Sequence, residues 1–306
     1  MIKFAQAVRI AFSSIGSAKL RSALTTLGIV IGIAAVVVNA SLGASFTQFF
    51  TNEISSVGSN FIIATSKQPN LFFDNEYNLI KNTPGISGVS PRKSMTGDLT
   101  YLSETKSVTV AGINKDFQEI QGLQMESGTF LTDKDSSSAV LGYDIANDKF
   151  SRNISHRSTI EIAFRQDDGT IVKKNFKVKG ILKNSKPTVV GEDSDYDMTV
   201  FIPISTMNEM TGEKDYGAFL AMAESPEKIR EISDNVDKRL ARNFGIPERK
   251  IDEEDSKPYY VFNQEEVLEQ TGKIASALSS FLLALALISL FVGSIGIMQL
   301  NINLYI

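Results

Sequence analysis

Charge is distributed along this chain in a way that leaves few ways to fold it. Lys3, Arg9, Lys19 and Arg21 are the only charged residues before Glu53, and no charge of either sign follows Lys273. Inside those margins lie two long apolar stretches, residues 23–42 and residues 279–298, the second reading SSFLLALALISLFVGSIGIM. Each has roughly the 20 residues a helix needs to cross a hydrocarbon layer about 30 Å thick. In water, such a helix would need protein core on every side. The sequence therefore predicts two membrane helices with a water-exposed region between them.

The first stretch has a competing reading as a secretion signal, because Val38-Asn39-Ala40 has the small residues of a peptidase site. Against that, more than twenty residues precede it, and Phe4, Val8, Phe12 and Ile15 recur among them at helical spacing. That pattern fits an amphipathic helix lying on a membrane surface. A retained helix is the preferred reading, and a mature N-terminus at Ser41 would overturn it. Gly28 and Gly32 in the first stretch, and Gly293 and Gly296 in the second, are expected where a neighbouring helix packs closely. Four basic residues and no acid precede the first span, so the positive-inside rule puts the N-terminus in the cytoplasm and residues 43–273 outside a prokaryotic cell (inner) membrane.

Composition narrows the chemistry. There is no cysteine, which excludes disulfides, thiolate metal sites and a cysteine nucleophile. His156 is the only histidine, so a zinc site or a catalytic triad built on histidine lacks parts. No G-x-x-x-x-G-K-[ST] loop is present to hold a nucleotide, so any ATPase is expected on another chain. The net charge of -4 argues against a nucleic-acid partner. Acidic runs at Asp167-Asp168, at Asp193, Asp195 and Asp197, and at Glu253-Glu254-Asp255 lack calcium-loop spacing and are read as solvated loops rather than an exterior hydrolase site. No cofactor, metal site or catalytic residue is expected.

Between the spans the pattern is α+β. NFIIAT (residues 60–65) reads as a strand, residues 75–81 as a helix, and TPGISGVSP as a turn into a second strand. A second β-α-β unit is expected from residues 217–223, a helix capped by Ser225 with Pro226 in its first turn, and residues 259–262. In that helix Ile229, Ile232, Val236 and Leu240 form one apolar stripe, which leaves Glu231, Asp234, Asp237 and Lys238 on a solvated face. Residues 97–203 read as an inserted β-rich lobe, with hairpins at TYLSETKSVTVAGI and around Asp168-Gly169. Asn263-Gln264-Glu265-Glu266 has the form of a capping box. It opens a helix that is expected to run on to Met298 as stalk and span. A matching stalk, with Phe46, Phe49, Phe50, Ile54 and Val57 at helical spacing, is expected to end at Gly58.

The organisation predicted is a surface helix (1–19), a first membrane helix and stalk (20–58), an exterior core domain (59–262) with its lobe at about 97–203, a second stalk and membrane helix (263–300) and a tail (301–306). In fold class this is an α+β exterior domain, two split β-α-β segments plus the β-rich lobe, carried on two long transmembrane helices.

These residues resemble the MacB/FtsX-type ABC transporter permeases, above all their periplasmic core domain. KLRSALTTLGIVIGIAAVV is similar to the family's first membrane helix, and ISSVGSNFIIA looks like its junction from stalk to first strand. TPGISGVSP, GTFLTDKDSSSAVLGYDIANDKF, NFKVKGIL and VFIPISTMNEMTG then follow in the family's order. The resemblance implies a permease, homodimeric or paired with a second permease chain, driven by a cytoplasmic ABC ATPase. Its stalks would transmit motion to an exterior domain that handles peptides, lipids, lipoproteins or hydrophobic drugs, sometimes with an exterior adaptor protein. It also implies that the surface helix with Phe4, Val8, Phe12 and Ile15 is the ATPase contact. Family members usually have four membrane helices where this sequence has two, so a chain shortened after the second helix is expected. The alternative is a membrane-anchored binding or assembly module without transport.

Overall fold

Alternating apolar residues in short runs bounded by turns fold into strands whose buried faces must find one another. The computed structural model describes residues 60–166, 168–184, 196–251 and 253–302, together with helical positions 30, 31, 33, 34, 37, 38, 41 and 45. The two predicted β-α-β units are both present. The first is β1 (Phe61–Ser66), α1 (Asp74–Lys81) and the long strand β2 (Ile86–Tyr101). The second comes after the lobe, whose strands are β3 to β8, and consists of β9 (Ala218–Ala223), α5 (Ile229–Asn243) and β10 (Tyr259–Asn263).

The units interleave. Strand β9 pairs antiparallel with both β1 and β2, and β1 pairs antiparallel with β10, so the base of the domain reads β10-β1-β9-β2. This is the split β-α-β arrangement, in which neither unit's own strands touch. One face of this sheet carries Ile62, Ala64, Val89, Phe219, Ala221 and Tyr259 against α1 and α5, whose stripe Ile229, Ile232, Val236 and Leu240 is buried as its spacing predicts.

The lobe extends the same sheet through β3 (Glu104–Ile113), β8 (Thr199–Pro203), β5 (Ser138–Leu141), β7 (Ile171–Leu182) and β4 (Met125–Gly128), while β6 (Thr159–Arg165) bridges β2 and β7. Short helices α2 (Phe117–Ile120), α3 (Tyr143–Asn147) and α4 (Ile204–Thr211) complete it. Both hairpins read from sequence are present: Tyr101 pairs with Glu104 across Leu102-Ser103, and Arg165 pairs with Ile171 across the Asp168-Gly169 turn. Strand β2 runs unbroken past Gly97, pairing with β9 as far as Arg92 and with β3 from Lys93. The helix α4 lies close on β3 at Gly112, where an added Cβ would stand 2.6 Å from the Met207 sulfur. It ends at Gly212, whose φ of 77 is the left-handed C-terminal cap that glycine adopts without strain.

Three local readings are corrected. Ser225 does not cap its helix with its side chain. The segment opens as a 3-10 turn, Pro226–Lys228, and the Ser225 hydroxyl turns instead to Glu227. Asp237 is not simply solvated, because its Oδ2 accepts from the buried Lys257 Nζ at 3.0 Å. Asp197, read as a solvated loop residue, is buried in the 3-10 turn Tyr196–Met198; Glu254 and Asp255 lie in another, Glu254–Ser256, and among the described residues no cluster has the make-up of a metal site. His156 is exposed in a turn.

By internal contacts the chain divides into Thr51–Leu268 and a second unit, Met1–Phe50 with Glu269–Ile306. The helix α6 (Gln264–Ile302), 39 residues or about 58 Å at 1.5 Å per residue, starts in the first and continues in the second. Taken over the described residues, no helix is long and apolar enough to cross a membrane. The apolar stretch 279–298 lies within α6, and its side chains are described only in part, as far as Phe291.

Candidate coupling site at the root of the long helix

The corner where β10 gives way to the long helix is built by six residues in a row, 263–268. Strand β10 ends at Asn263, which is fully buried, and α6 begins at the next residue. The Asn263 Oδ1 accepts from the Glu266 backbone N–H at 3.0 Å, and the Asn263 N–H donates to the Glu266 carboxylate at 3.3 Å. This is the reciprocal capping box that the sequence N-Q-E-E predicts, and it satisfies orphan donors at a helix start. It also removes slack, since strand and helix share one hydrogen-bonded corner.

Burial pushes the Glu266 carboxyl above its ordinary range. The hydrogen bond from Asn263 opposes that shift, the nearby Asp234 adds to it, and Arg230 opposes it. Arg230 also reaches Glu265 at 3.8 Å, with both side chains more than half exposed, so that pair adds little. The next residues, Val267 and Leu268, pack against an apolar cluster formed by Phe61, Phe117, Phe201 and Leu220. The first turn of α6 is therefore seated in the core of the domain.

The chain enters the domain at the same corner. Asn60 and Ala223 are joined by the Ala223 N–H to the Asn60 carbonyl at 2.8 Å and by the Asn60 amide to the Ala223 carbonyl. Ile62 is the register partner of Asn263. Entry and exit thus lie on neighbouring antiparallel strands, at the end where β1 starts and β10 stops. From this corner the hydrogen-bonded ladder runs from β10 to β1 and through β9 to the rest of the sheet. Among the described residues no group that could hold a metal ion lies here.

Of the residues singled out from sequence, Phe4, Val8, Phe12, Ile15, Gly28 and Gly32 lie outside the described residues. Gly293 and Gly296 fall within α6. Sequence reading missed the Lys257–Asp237 pair, which ties the loop before β10 to α5. The available signal was position: Lys257 stands two residues before Tyr259, the buried first residue of β10.

The profile of the MacB-like periplasmic core domain family matches residues 22–239. An uncharacterised ABC transporter permease of Methanocaldococcus jannaschii is 29% identical over 95% of this chain and 69% of its own length. The uncharacterised ABC transporter permease YknZ of Bacillus subtilis is 26% identical, over 96% of this chain and 72% of its own. The macrolide export ATP-binding/permease protein MacB of Bdellovibrio bacteriovorus is 25% identical over 94% of this chain, which spans only 45% of that relative. Among solved structures, the periplasmic region of MacB from Actinobacillus actinomycetemcomitans aligns with TM-score 0.54 at 16% identity, covering 71% of this chain and 94% of its own. The extracellular domain of a YknZ transporter aligns at TM-score 0.50 and 18% identity, covering 67% of this chain and all of that domain.

Proposed function

Because the chain belongs to the ABC transporter permeases with a MacB-like periplasmic core domain, we propose that it couples a separate cytoplasmic ATPase to motion of this exterior domain, which handles peptide, lipid, lipoprotein or hydrophobic-drug cargo. The observation that carries this reading is the corner at Asn263: the capping box fastens the first turn of α6 to β10, and Asn263 pairs with Ile62 of β1. The helix itself supports a membrane setting. Ile274, Leu278, Phe281, Leu285, Ile288 and Phe291 are all between 45% and 68% exposed, apolar surface that water disfavours and lipid does not. In this reading the stretches 23–42 and 279–298 cross the bilayer, the N-terminus is cytoplasmic, and Phe4, Val8, Phe12 and Ile15 form the ATPase contact. Gly28, Gly32, Gly293 and Gly296 pack the helices of two permease copies, with an exterior adaptor as a further partner.

The test is reconstitution of the chain in lipid nanodiscs with ABC ATPases from the same organism. One of them is expected to form a stable complex that is lost when Phe4, Val8, Phe12 and Ile15 are replaced by serine. ATP is expected to shift the distance between spin labels on α6 and on β3. Absence of a complex with any such ATPase, or a complex indifferent to the surface helix, would count against the assignment.

A further inference from the structure

The lobe is joined to the base of the domain by two lengths of chain. One is β2, which leaves β9 at Arg92 and joins β3 at Lys93. The other is the segment from Gly212, at the end of α4, to Gly217, at the start of β9. Lys93 sits at the changeover on the first crossing, with its side chain only 8% exposed. Its ammonium meets two carboxylates, both from the second crossing: Glu213 at 2.6 Å and Asp215 at 2.9 Å. Asp215 in turn accepts from the Asn70 backbone N–H at 3.0 Å, in the loop that follows β1. Burial alone would raise the Asp215 carboxyl, but Lys93 and the Asn70 N–H outweigh it and hold it below the usual carboxylate range.

The two faces of the joint differ. Strand alternation puts Lys93 on the face of Val89 and Leu99, and its partner Gly112 faces α4. The opposite face is covered by the cluster of Phe61, Ala111, Phe201 and Leu220, to which base and lobe both contribute. Apolar packing of that kind tolerates small rotations, because it has no preferred bond direction. A buried ammonium between two carboxylates has a defined geometry, and separating it from them exposes a charge to a poor solvent.

We propose that Lys93, Glu213 and Asp215 form an ionic clasp across the two crossings that fixes the angle between lobe and base. Closed, it makes the ten-stranded sheet one lever. Open, it leaves the lobe to swing about the aromatic cluster on the other face. The clasp would therefore decide how much of a movement entering at β1 and β10 reaches the lobe.

The absence of cysteine makes the test direct. Spin labels at Ser103→Cys on the lobe and Lys238→Cys on α5, both exposed in the parent, report the angle as an electron–electron distance distribution in the full chain. The parent is expected to give one narrow distribution. Lys93→Met, and separately Glu213→Gln with Asp215→Asn, are each expected at least to double its width. Lys174→Met, which removes an exposed pair with Glu209 in the lobe, is expected to leave it unchanged. Should Lys93→Met fail to fold, the double variant decides, because it removes no buried side-chain volume. A parent-like width in the double variant, or equal broadening in Lys174→Met, overturns the proposal.

Discussion

The helices α5 and α6 differ in apolar content, and the structure treats their apolar residues in opposite ways. In α5, Ile229, Ile232, Val236 and Leu240 are all buried against the sheet, while Glu231, Asp234 and Lys238 face water. In α6, Ile274, Leu278, Phe281, Leu285, Ile288 and Phe291 are exposed, while Ala275 between them is buried. Both the number of apolar residues and their sorting separate the two. A helix with one apolar stripe is completed by its own domain, whereas one apolar all round is completed by lipid or by another helix.

The contrast predicts that the domain's stability is indifferent to the outer face of α6 and sensitive to its own core. Phe201 is fully buried and lies within 6.5 Å, centroid to centroid, of Phe117, Phe130 and Tyr196. Phe201→Ala is expected to destabilise the exterior domain by about 3–5 kcal/mol in urea titrations followed by tyrosine fluorescence, while Phe281→Ala leaves that transition in place. Equal shifts would break the comparison. Next in size, Ile288→Lys puts a charge into the proposed span, at about 3 kcal/mol of insertion free energy. It is expected to release the chain partly from membranes at alkaline pH, with the urea transition of the domain intact.

A smaller effect belongs to Asp135 in the lobe. Burial would raise its carboxyl, but the Lys179 ammonium, the Thr132 hydroxyl and N–H, and the Ser138 hydroxyl lower it to about 2. Its folded-state value lies below its unfolded one, so the stability it confers is complete above pH ~4 and is lost as pH falls toward about 2. Asp135→Asn is expected to cost about 1–2 kcal/mol at pH 7, after allowing for solvent screening. Parent and variant should converge near pH 2. The smallest effect is at Glu266, whose raised value means that ionisation weakens the folded state, a cost that disappears as pH falls below that value. Glu266→Gln keeps the capping acceptor and is expected to change stability by less than about 0.5 kcal/mol at pH 7, flattening the pH profile just above the ordinary carboxylate range. A large loss would show that the carboxylate charge itself holds the corner.

The features legible in sequence were those written within a few residues. The strand at β1, the stripe of α5, both hairpins and the Asn263–Glu266 box each depend on local periodicity or on a cap three residues away. The insertion of β9 between β1 and β2 was not legible, because it joins Ile63 to Leu220 across most of the domain. The charged pairs were missed for a related reason. Lys93 has the same strand parity as Val89 and Leu99, a sign that it points inward, yet its carboxylates lie more than a hundred residues away at Glu213 and Asp215. Alternation shows that a lysine is buried and is silent on what neutralises it.

The pairing of Ile62 with Asn263 also sets the order in which the molecule can be made. Strand β1 is among the first parts of the domain to be synthesised, yet both of its neighbours, β9 and β10, come from residues 218–263. Until those emerge, FIIATS is an apolar strand with two open edges, the state most prone to pair with the wrong chain. The lobe, whose strands find partners among β2 to β8, can form while β1 waits. A nascent chain stalled before residue 218 should therefore hold a folded lobe on an unfolded base, and that interval is when a chaperone has something to hold.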